Sequence, residues 1–548
     1  MEHGPANPSP DPRAVRDGLT ILIDQNRLPE AQGRLRQARA AFPRDPGLAT
    51  LDAFVCLRLG RSEPALEAAT EALSLGSDDP MAALVLGTAQ RNLGRHFQAA
   101  KALLAAHRAL PDRVDAACML IEETAAAYGL ERARLAYDEV VGRLPDHGVM
   151  LCWARLLFDA GIDDGLPVGA VSAPAISIRT WVERAGSVLE FVGPQEIFPV
   201  EIPPVFGNPD TDRFKASVMG YVPYACTVRD ATIFAKSSVI LTSDGAALND
   251  TIADERFGRF LDLPHDKAIT RRRGQRLLLD VGQYRVTEIE AGVMLSGWVT
   301  EHFGHWVPEY LCRLSYLEHH PRFADVPIIV DNDMPPQHLE FLSLLVSNRI
   351  VQIAPDEALR CGELIVASPS TFFPVHLTPE HQVPPENQGG LPVGGFRYLQ
   401  ERVLRALPPS GAADRKLYLS RKSRTWRRPV NEDEISAALA AMGFEILFPE
   451  DMTLEAQIRM YQGAKVVVAP NGSSLLNAIF APKDLTLLVL SQRGLFNWGT
   501  YYGLMRELGY DLTFFCGDEE TDQKHASYAI PVPRLVAAIE ALSGEPGA

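Results

Sequence analysis

The chain has no run of about 18 apolar residues, which excludes a transmembrane helix. Its first residues lack the basic stretch and apolar core of a secretory signal. Its seven cysteines include no Cys-x-x-Cys pair, which argues against a disulfide framework or a zinc site. Four common catalytic or phosphate-binding patterns are also absent: GxxxxGK(S/T), GxGxxG, GxSxG and HExxH. We therefore expect a cytoplasmic protein with reduced thiols.

Positive charge is scarce. The 548 residues include 53 Lys and Arg against 69 Asp and Glu, a formal net charge of −16. This balance disfavours broad binding to nucleic acid and docking on an anionic membrane. Only nine basic residues are Lys, and the Arg-rich and Ala-rich composition suggests a bacterial genome rich in G and C. Hydrophobic residues make up 46%, an ordinary share for a folded chain, and the length predicts three or four domains.

Alanines recur every 34 residues in the first 157 residues. This step is occupied by Ala31, Ala65, Ala99 and Ala133, and seven residues later by Ala38, Ala72 and Ala106. A 34-residue period, small residues where two helices touch and proline after the second helix are typical of tetratricopeptide repeats. We predict four helix pairs over 12–157 that stack into a solenoid for binding a protein partner. A generic alanine-rich bundle is the alternative.

Apolar strands alternate with helical patterns from about residue 276. Two such sets flank a segment rich in proline and glycine, 376–395. Continuous Val, Ile and Leu strands between helices predict parallel sheets, whose ligands sit at the carboxyl ends of the strands. The predicted order is a disordered N-terminus at 1–11, repeats at 12–160, a first Rossmann-like domain at 161–385 and a second at 386–548, which carries a C-terminal helix.

Two segments of the second predicted domain favour an anion. The segment 421–428 holds five cationic residues in eight, directly after the predicted strand 416–419. Arginine side chains match phosphate oxygens bidentately. In the other segment, strand 465–468 leads through the turn 471–474 into a predicted helix, 474–480, whose free N–H groups attract negative charge. We predict a phosphate site here; a solvated basic loop and a plain strand–turn–helix junction are the alternatives.

A third segment places titratable side chains at helical spacing. In a helix predicted over 304–319, His305, Glu309 and Arg313 share one face at i, i+4 and i+8. An imidazole beside a carboxylate suits general-base catalysis. No third ligand for a metal is evident, so we expect no metal site, and a polar stripe at an interface is the alternative. The triplet 331–333, Asp-Asn-Asp, more simply predicts an exposed acidic loop.

Together these segments resemble glycosyltransferase family 61, which includes capsular polysaccharide biosynthesis proteins. The family element Asn-Phe-Gly-His-Trp…Asp corresponds here to His302-Phe303-Gly304-His305-Trp306…Glu309. The Ser-Arg…Arg-Arg element corresponds to Ser420-Arg421…Arg427-Arg428, followed by Asn431-Glu432-Asp433-Glu434. The Pro-His-Gly-Ala-Gly-Leu…Asn element corresponds to Pro470-Asn471-Gly472-Ser473-Ser474-Leu475…Asn477, and Glu450 and Gln457 also fit the pattern. The resemblance covers roughly 200–515.

The resemblance implies a GT-B fold and an inverting, metal-independent transfer of a sugar from a nucleotide sugar to a glycan or protein acceptor. The nucleotide sugar is a co-substrate, and no cofactor is expected. The implied donor-binding residues are Ser420, Arg421, Arg427, Arg428, Glu450, Asn471, Gly472, Ser473, Ser474 and Asn477. The base is His305 or Glu309, and we favour His305 because its unperturbed pKa of about 6.5 lies near neutral pH. The repeats then recruit the acceptor or another partner, or self-associate.

The chain departs from the family pattern at four positions. Asn471 replaces a histidine, Ser474 a glycine, Ser491 an acidic residue, and Glu309 an aspartate. The first three favour the alternative function, a non-catalytic tetratricopeptide scaffold with a degenerate transferase domain. Retention of His305, Glu309 and the arginines favours an enzyme.

Overall fold

The computed structural model describes residues 11–206, 215–256, 263, 266–372, 389–421, 428–492, 498–519 and 527–543. The chain divides into two compact units. The first comprises Met1–Ser172 with Leu278–Gln283, and the second comprises Ala173–Leu277 with Tyr284–Ala548. Within the described part of the chain, each helix is too short or too polar to cross a lipid bilayer.

The first unit is built mainly of helices. Its described residues form α1 (Pro12–Asp24), α2 (Leu28–Ala41), α3 (Pro46–Arg58), α4 (Ser62–Ser74), α5 (Pro80–Asn92), α6 (His96–Ala109), α7 (Val114–Tyr128), α8 (Leu130–Arg143) and α9 (His147–Asp159). The first eight make the four predicted pairs, and α9 follows them. The prediction of tetratricopeptide-like helical repeats is therefore confirmed.

Aspartate caps extend the 34-residue register. Asp11, Asp45 and Asp79 stand 34 residues apart and each accepts a hydrogen bond from a backbone N–H in the first turn of the helix that follows. Each is followed by a proline at the first helical position, where a missing N–H costs nothing. The start of α1, α3 and α5 is thus encoded locally in each repeat.

The repeat alanines lie at helix contacts. Ala31, Ala65, Ala99 and Ala133 are all 0% exposed. Space is equally short at Gly87 of α5, where an added Cβ would lie 2.6 Å from Leu103 Cγ. The small side chains therefore allow neighbouring helices to approach closely, as the register predicts.

A large sheet, whose strands lie mainly in the second unit, follows the helices in the chain. Its strands and those of an adjoining hairpin are β1 (Ala170–Ile176), β2 (Leu189–Phe191), β3 (Ile197–Glu201), β4 (Lys215–Met219), β5 (Tyr224–Phe234), β6 (Ile240–Thr242), β7 (Ala247–Leu248), β8 (Ile269–Arg273), β9 (Arg276–Asp280), β10 (Arg285–Met294), β11 (Ile328–Asp331), β12 (Ile350–Ile353) and β13 (Glu357–Ala367). The sheet order is β12-β11-β10-β13-β5-β6-β7-β1-β9-β8, while β2 pairs with β5 and β3 with β4. The helices of this part are α10 (Ile178–Ala185), α11 (Asp250–Ala253), α12 (Phe303–His305), α13 (Leu314–Leu317) and α14 (Pro336–Leu345).

This sheet is mixed, whereas the sequence pattern predicts a parallel one. The strands β10 to β13 pair in parallel, but β5 pairs antiparallel with both β13 and β6. The connections from β5 to β6 and from β6 to β7 are only a few residues long, too short for the crossover that parallel neighbours need. The coarser prediction, an α/β domain after the repeats, is confirmed.

The second sheet is parallel throughout its five strands. It contains β14 (Arg415–Leu419), β15 (Glu445–Leu447), β16 (Ala464–Pro470), β17 (Thr486–Ser491) and β18 (Leu512–Cys516), in the order β15-β14-β16-β17-β18. The remaining elements are α15 (Val393–Ala406), α16 (Glu432–Ala441), α17 (Leu454–Gln462), a 3-10 helix (Ser473–Phe480), α18 (Trp498–Glu507), the hairpin β19 (Asp518–Glu519) and β20 (Tyr528–Ala529), and the predicted C-terminal helix α19 (Val532–Ser543). The order reverses between β14 and β16, which makes their carboxyl ends the expected ligand crevice.

One hydrophobic core joins the two sheets. It includes buried residues beside the first sheet, such as Trp306 and Phe341, and beside the second, such as Val467 and Phe480. The rings of Phe341 and Phe480 meet edge to face, with their centroids 6.1 Å apart. A hydrogen bond also crosses this junction, because the backbone N–H of Leu454 donates to the Glu340 carboxylate at 2.8 Å.

Candidate active site

An irregular helix, 303–317, carries the titratable pair; we call it the site helix. It starts as α12, widens to a π-helical turn (Trp306–Tyr310), tightens to a 3-10 turn (Leu311–Arg313) and ends as α13. The sequence pattern predicts a regular helix here. The departure coincides with Pro308, which has no N–H to donate inside a helix. Such π-helical turns occur frequently at functional sites.

Trp306 anchors the site helix. Its side chain is fully buried, stacks on the His338 ring at 5.9 Å and donates from Nε1 to the His338 carbonyl at 3.3 Å. Burial lowers the pKa of His338 to about 4, so this ring is neutral and donates from Nδ1 to the Thr300 carbonyl at 2.9 Å. An aromatic side chain buried in this way contributes several kcal/mol, about 3–5 on truncation to alanine. The contacts of Trp306 with His338 therefore fix the orientation of the site helix.

His305 and Glu309 form a hydrogen-bonded pair across the π-helical turn. Nδ1 of His305 bonds to Oε1 of Glu309, and the two side chains are 26% and 14% exposed. Burial lowers the pKa of His305, but the carboxylates of Glu309 and Glu301 outweigh burial and leave the pKa raised. A raised pKa favours the imidazolium form, which donates to the Glu309 carboxylate.

The carboxyl ends of β14 and β16 bring a cation and a tight turn together. Nη1 of Arg421 donates to the carbonyl oxygen of Asn471 at 2.9 Å. A side chain at Gly472 would collide with this arginine, because an added Cβ would lie 2.1 Å from Arg421 Nη1. The exposed residue Ser473 then begins the 3-10 helix (Ser473–Phe480). The first N–H groups of a helix have no acceptor within the helix itself. The predicted anion-binding features are therefore adjacent.

The other donor-binding candidates divide into buried and accessible residues. Ser420 is 1% exposed and donates to Glu432 at 2.6 Å, while Asn477, also 1% exposed, donates to Gln457 at 2.9 Å. Their contacts stabilise the strand end and the 3-10 helix from inside. Asn471, on the rim, donates to the Ser491 hydroxyl at 3.5 Å.

Four further candidates lie nearer the surface or outside the described residues. Glu450 is half-buried in a 3-10 turn (Pro449–Asp451), and Arg428 is exposed. Ser474 is half-buried, and its carbonyl oxygen accepts from Tyr461 at 3.1 Å. Arg427 lies outside the described residues.

The site helix begins in contact with the turn 472–474. A Cβ built on Gly304 would lie 3.2 Å from Ser473 Cβ, so the first turn of the helix and the start of the 3-10 helix are in contact. His305 follows directly. The two candidate catalytic residues, His305 and Glu309, therefore follow a contact with the turn 472–474.

The other end of the site helix borders a pocket that encloses about 1000 Å³, including space open to solvent. Glu309, Tyr310 and Arg313 of the site helix contribute to its wall. Ser296 and Trp298, after β10, and residues that follow β13 close other sides. The lining thus mixes hydroxyl and charged groups with aromatic surface, as suits a ligand with hydroxyl groups and carbon faces.

Sequence reasoning missed most of this pocket. Asp250 and Tyr221 come from the segment 158–270, where the pattern predicts only short strands, and Ser296 follows a strand without any motif. Arg313 gave a signal, because it continues the stripe of His305 and Glu309, but it was not placed in the site. Only the sheet topology brings these segments together.

The prediction of an exposed acidic loop at 331–333 is wrong for Asp331, which ends β11 and is buried. Asp331 is 1% exposed and accepts from Lys236 N, Gly297 N and Thr300 Oγ1 at 3.0, 3.0 and 2.7 Å. Asp333 forms an ion pair with Lys236 at 2.9 Å. Within the described ranges, no group of three or more His, Cys, Asp or Glu is arranged to hold a metal ion.

The chain thus belongs to the class of repeat-bearing α/β proteins. A helical repeat unit is followed by an α/β unit that has a crevice at the ends of its strands. Within it, residues 303–489 match the family model Glycosyltransferase 61, which confirms the resemblance seen in the motifs and suggests a glycosyltransferase. The matched range starts at the site helix and ends in β17. No curated protein matches the chain.

Several solved repeat proteins are similar to about a quarter of the chain. MamA of Desulfovibrio magneticus RS-1 is 17% identical, with 27% of this chain and 85% of MamA covered and a TM-score of 0.25. YrrB, a tetratricopeptide protein described as having an unusual peptide-binding site, is 15% identical, with 28% and 80% covered and a TM-score of 0.26. TTC0263 of Thermus thermophilus is 19% identical, with 28% and 85% covered and a TM-score of 0.24. The assignment of the repeats rests instead on the alanine register and its burial.

Proposed function

We propose that the chain is an inverting glycosyltransferase of GT-B type that moves a sugar from a nucleotide sugar to a hydroxyl of a glycan or protein acceptor. The observation that carries the proposal is the site helix, which runs from the turn at Ser473 to the pocket wall at Glu309 and Arg313. It connects an anion-favouring crevice with a pocket for a second ligand, as a transfer between two substrates requires.

The donor diphosphate binds between Arg421 and the turn 472–474. Both lie at the carboxyl ends of neighbouring strands, β14 and β16, at the reversal of the strand order. The arginine and the N–H groups of the turn neutralise the charge that develops on the leaving diphosphate. This arrangement needs no metal for charge neutralisation.

Glu309 is the base in this proposal, and His305 holds it in place. Two observations favour this order over the reverse order that the sequence suggests: Glu309 borders the pocket, and the raised pKa of His305 favours the protonated form of its ring. The Glu309 carboxylate removes the proton of the acceptor hydroxyl, and the oxygen forms a bond to the anomeric carbon. The bond from that carbon to the diphosphate breaks on the opposite face, and the nucleoside diphosphate leaves with the electron pair.

The helical repeats recruit the acceptor or a partner protein in this proposal. Their stacked helices, with Ala31, Ala65, Ala99 and Ala133 in the interior, form the type of surface that binds extended peptides or other proteins. They supply no catalytic group.

A panel of nucleotide sugars tests the function. We expect one of them to raise the melting temperature of the full chain and to be hydrolysed slowly to free nucleoside diphosphate, measured by chromatography. Glu309→Gln should abolish hydrolysis and keep the thermal shift, whereas Glu288→Gln, on an exposed site of β10, should change neither. If no nucleotide sugar binds, the scaffold alternative replaces the transferase.

A further inference from the structure

Three buried polar atoms without a hydrogen-bond partner in the described structure converge on one pocket. They are Tyr221 OH, Ser296 Oγ and Arg313 Nε, and all three residues line the pocket at the end of the site helix. Ser296 is 2% exposed, so its hydroxyl faces the pocket interior rather than bulk solvent. Buried polar groups in folded proteins are nearly always paired. Three such atoms around one pocket therefore indicate a polar ligand.

Arg313 has no directly bonded carboxylate in the described structure, although its charge acts on Asp250 from a distance. Its guanidinium lies over the Tyr310 ring, 5.3 Å from the centroid, and no carboxylate of the described residues forms an ion pair with it. A half-buried guanidinium is costly unless an anion accompanies it.

The two carboxylates of the pocket wall already have partners. Glu309 bonds to His305, and the imidazolium compensates its charge. Asp250 is 8% exposed and accepts from Tyr224 OH and, at 2.9 Å, from Ile178 N. Burial raises the pKa of Asp250, although these bonds and the charge of Arg313 act in the opposite direction. Neither carboxylate thus forms a direct ion pair with Arg313 in the described structure.

We propose that this pocket selects an acidic acceptor, a sugar whose carboxylate or phosphate group binds Arg313 while Ser296 and Tyr221 bond to the same group or to a neighbouring hydroxyl. The role of this sugar as the acceptor rests on the proposed function. The pocket's preference for an anionic sugar does not depend on it. Trp298, in the same wall, offers an aromatic surface to the carbon face of the ring.

The geometry favours a carboxylate or phosphate over a neutral hydroxyl. A guanidinium presents paired N–H groups that match two oxygens of one anion, and such charge-assisted bonds are roughly twice as strong as neutral ones. The acceptor hydroxyl that reacts must lie at Glu309, four residues before Arg313 on the same helix. The anionic group and the reacting hydroxyl therefore belong to one sugar or to two adjacent sugars.

The test compares three probes that differ at one carbon: methyl glucoside, methyl glucuronide and methyl glucoside 6-phosphate, titrated into the full chain without donor and followed by ligand-observed NMR. We expect one of the two anionic probes to bind roughly 10- to 100-fold more tightly than the neutral one, the ratio given by one hydrogen bond to a charged group. A preference for the glucuronide assigns a carboxylate, and a preference for the phosphate assigns a phosphorylated sugar. Equal binding of all three, preferred binding of the neutral probe, or no binding of either anionic probe overturns the proposal.

Variants then locate the preference. Arg313→Gln should remove it, Arg313→Lys should keep part of it, and Arg360→Gln, an exposed arginine of β13, should leave it unchanged. Melting temperature and the thermal shift with the nucleotide sugar report whether each variant folds and whether the donor site is intact. An anion preference that survives in a folded Arg313→Gln variant contradicts the assignment. Donor binding with no anion preference contradicts this inference alone, whereas an anion preference without donor binding contradicts the transferase instead.

Discussion

The helical unit and the α/β unit use their residues in opposite ways. In the helices, the informative residues are the smallest ones, buried at a fixed step and without reactive groups. In the α/β unit, they are charged side chains at strand ends and on the site helix, and they are partly exposed. The difference teaches that periodicity identifies packing, whereas chemistry here depends on which strands become neighbours. The predictions below test whether stability and chemistry divide between the two units in this way.

The largest expected effect is on turnover. Because a general base contributes roughly 10²–10⁴-fold, Glu309→Gln should lower kcat by about that factor in a transfer assay with donor and acceptor. Nucleotide binding, measured by calorimetry, should stay near the wild-type value. His305→Asn should lower kcat less, since it removes the partner of Glu309 rather than the base. If kcat falls more in His305→Asn than in Glu309→Gln, the two roles are reversed.

The second effect is on donor binding. Arg421→Ala should weaken nucleotide binding by about 1.5–3 kcal/mol, because a hydrogen bond to a charged group is lost. Arg415→Ala is the matched control: it lies at the opposite end of the same strand, in an exposed ion pair with Glu445. An unchanged affinity of Arg421→Ala for every nucleotide that binds the wild type removes this arginine from the site.

The third effect is on the stability of the repeats. Ala99→Trp should lower the free energy of unfolding by roughly 1–3 kcal/mol or more, because the alanine is fully buried and the core is overpacked. Ala105→Trp, on an exposed position of the same helix α6, should have little effect. Urea unfolding followed by circular dichroism measures both. Equal stability of the two variants would show that Ala99 is not at a tight contact.

The smallest effect is on the pH dependence of stability. The folded pKa of His305 is raised above its unfolded value, so its stabilisation is fully present below about pH 6.5 and is lost as pH rises through the folded pKa. The difference in unfolding free energy between wild type and His305→Asn should therefore shrink as pH rises above about 6.5. His319→Asn, an exposed control, should show no such trend. A difference that grows with pH contradicts the raised pKa.

Much of the architecture could be predicted because its signals are local. The alanine step and the prolines predict the helices, and apolar strands such as β16 and β17 are visible as runs of Val, Ile and Leu. The adjacency of Arg421 and Gly472 could also be anticipated, since both follow parallel strands. Each of these inferences needs only neighbours in sequence and one rule about sheets.

The remainder depends on long-range pairing. The antiparallel insertion of β5 beside β13 joins residues more than 120 positions apart, and no pattern in 158–270 indicates it. The pocket residues Asp250 and Ser296 come together only through that sheet. The irregular turns of the site helix likewise escape a periodicity argument, because apolar spacing fits a regular helix equally well.

The hydrophobic core that joins the two sheets has a mechanical consequence. Phe341 and Phe480 meet across the junction within one continuous set of buried side chains. Opening this junction like a hinge would expose apolar surface at a cost of about 25 cal/mol for every Å². The turn at Ser473 and the pocket therefore resist separation. In the proposed transferase, the distance between them limits which donor and acceptor can react together.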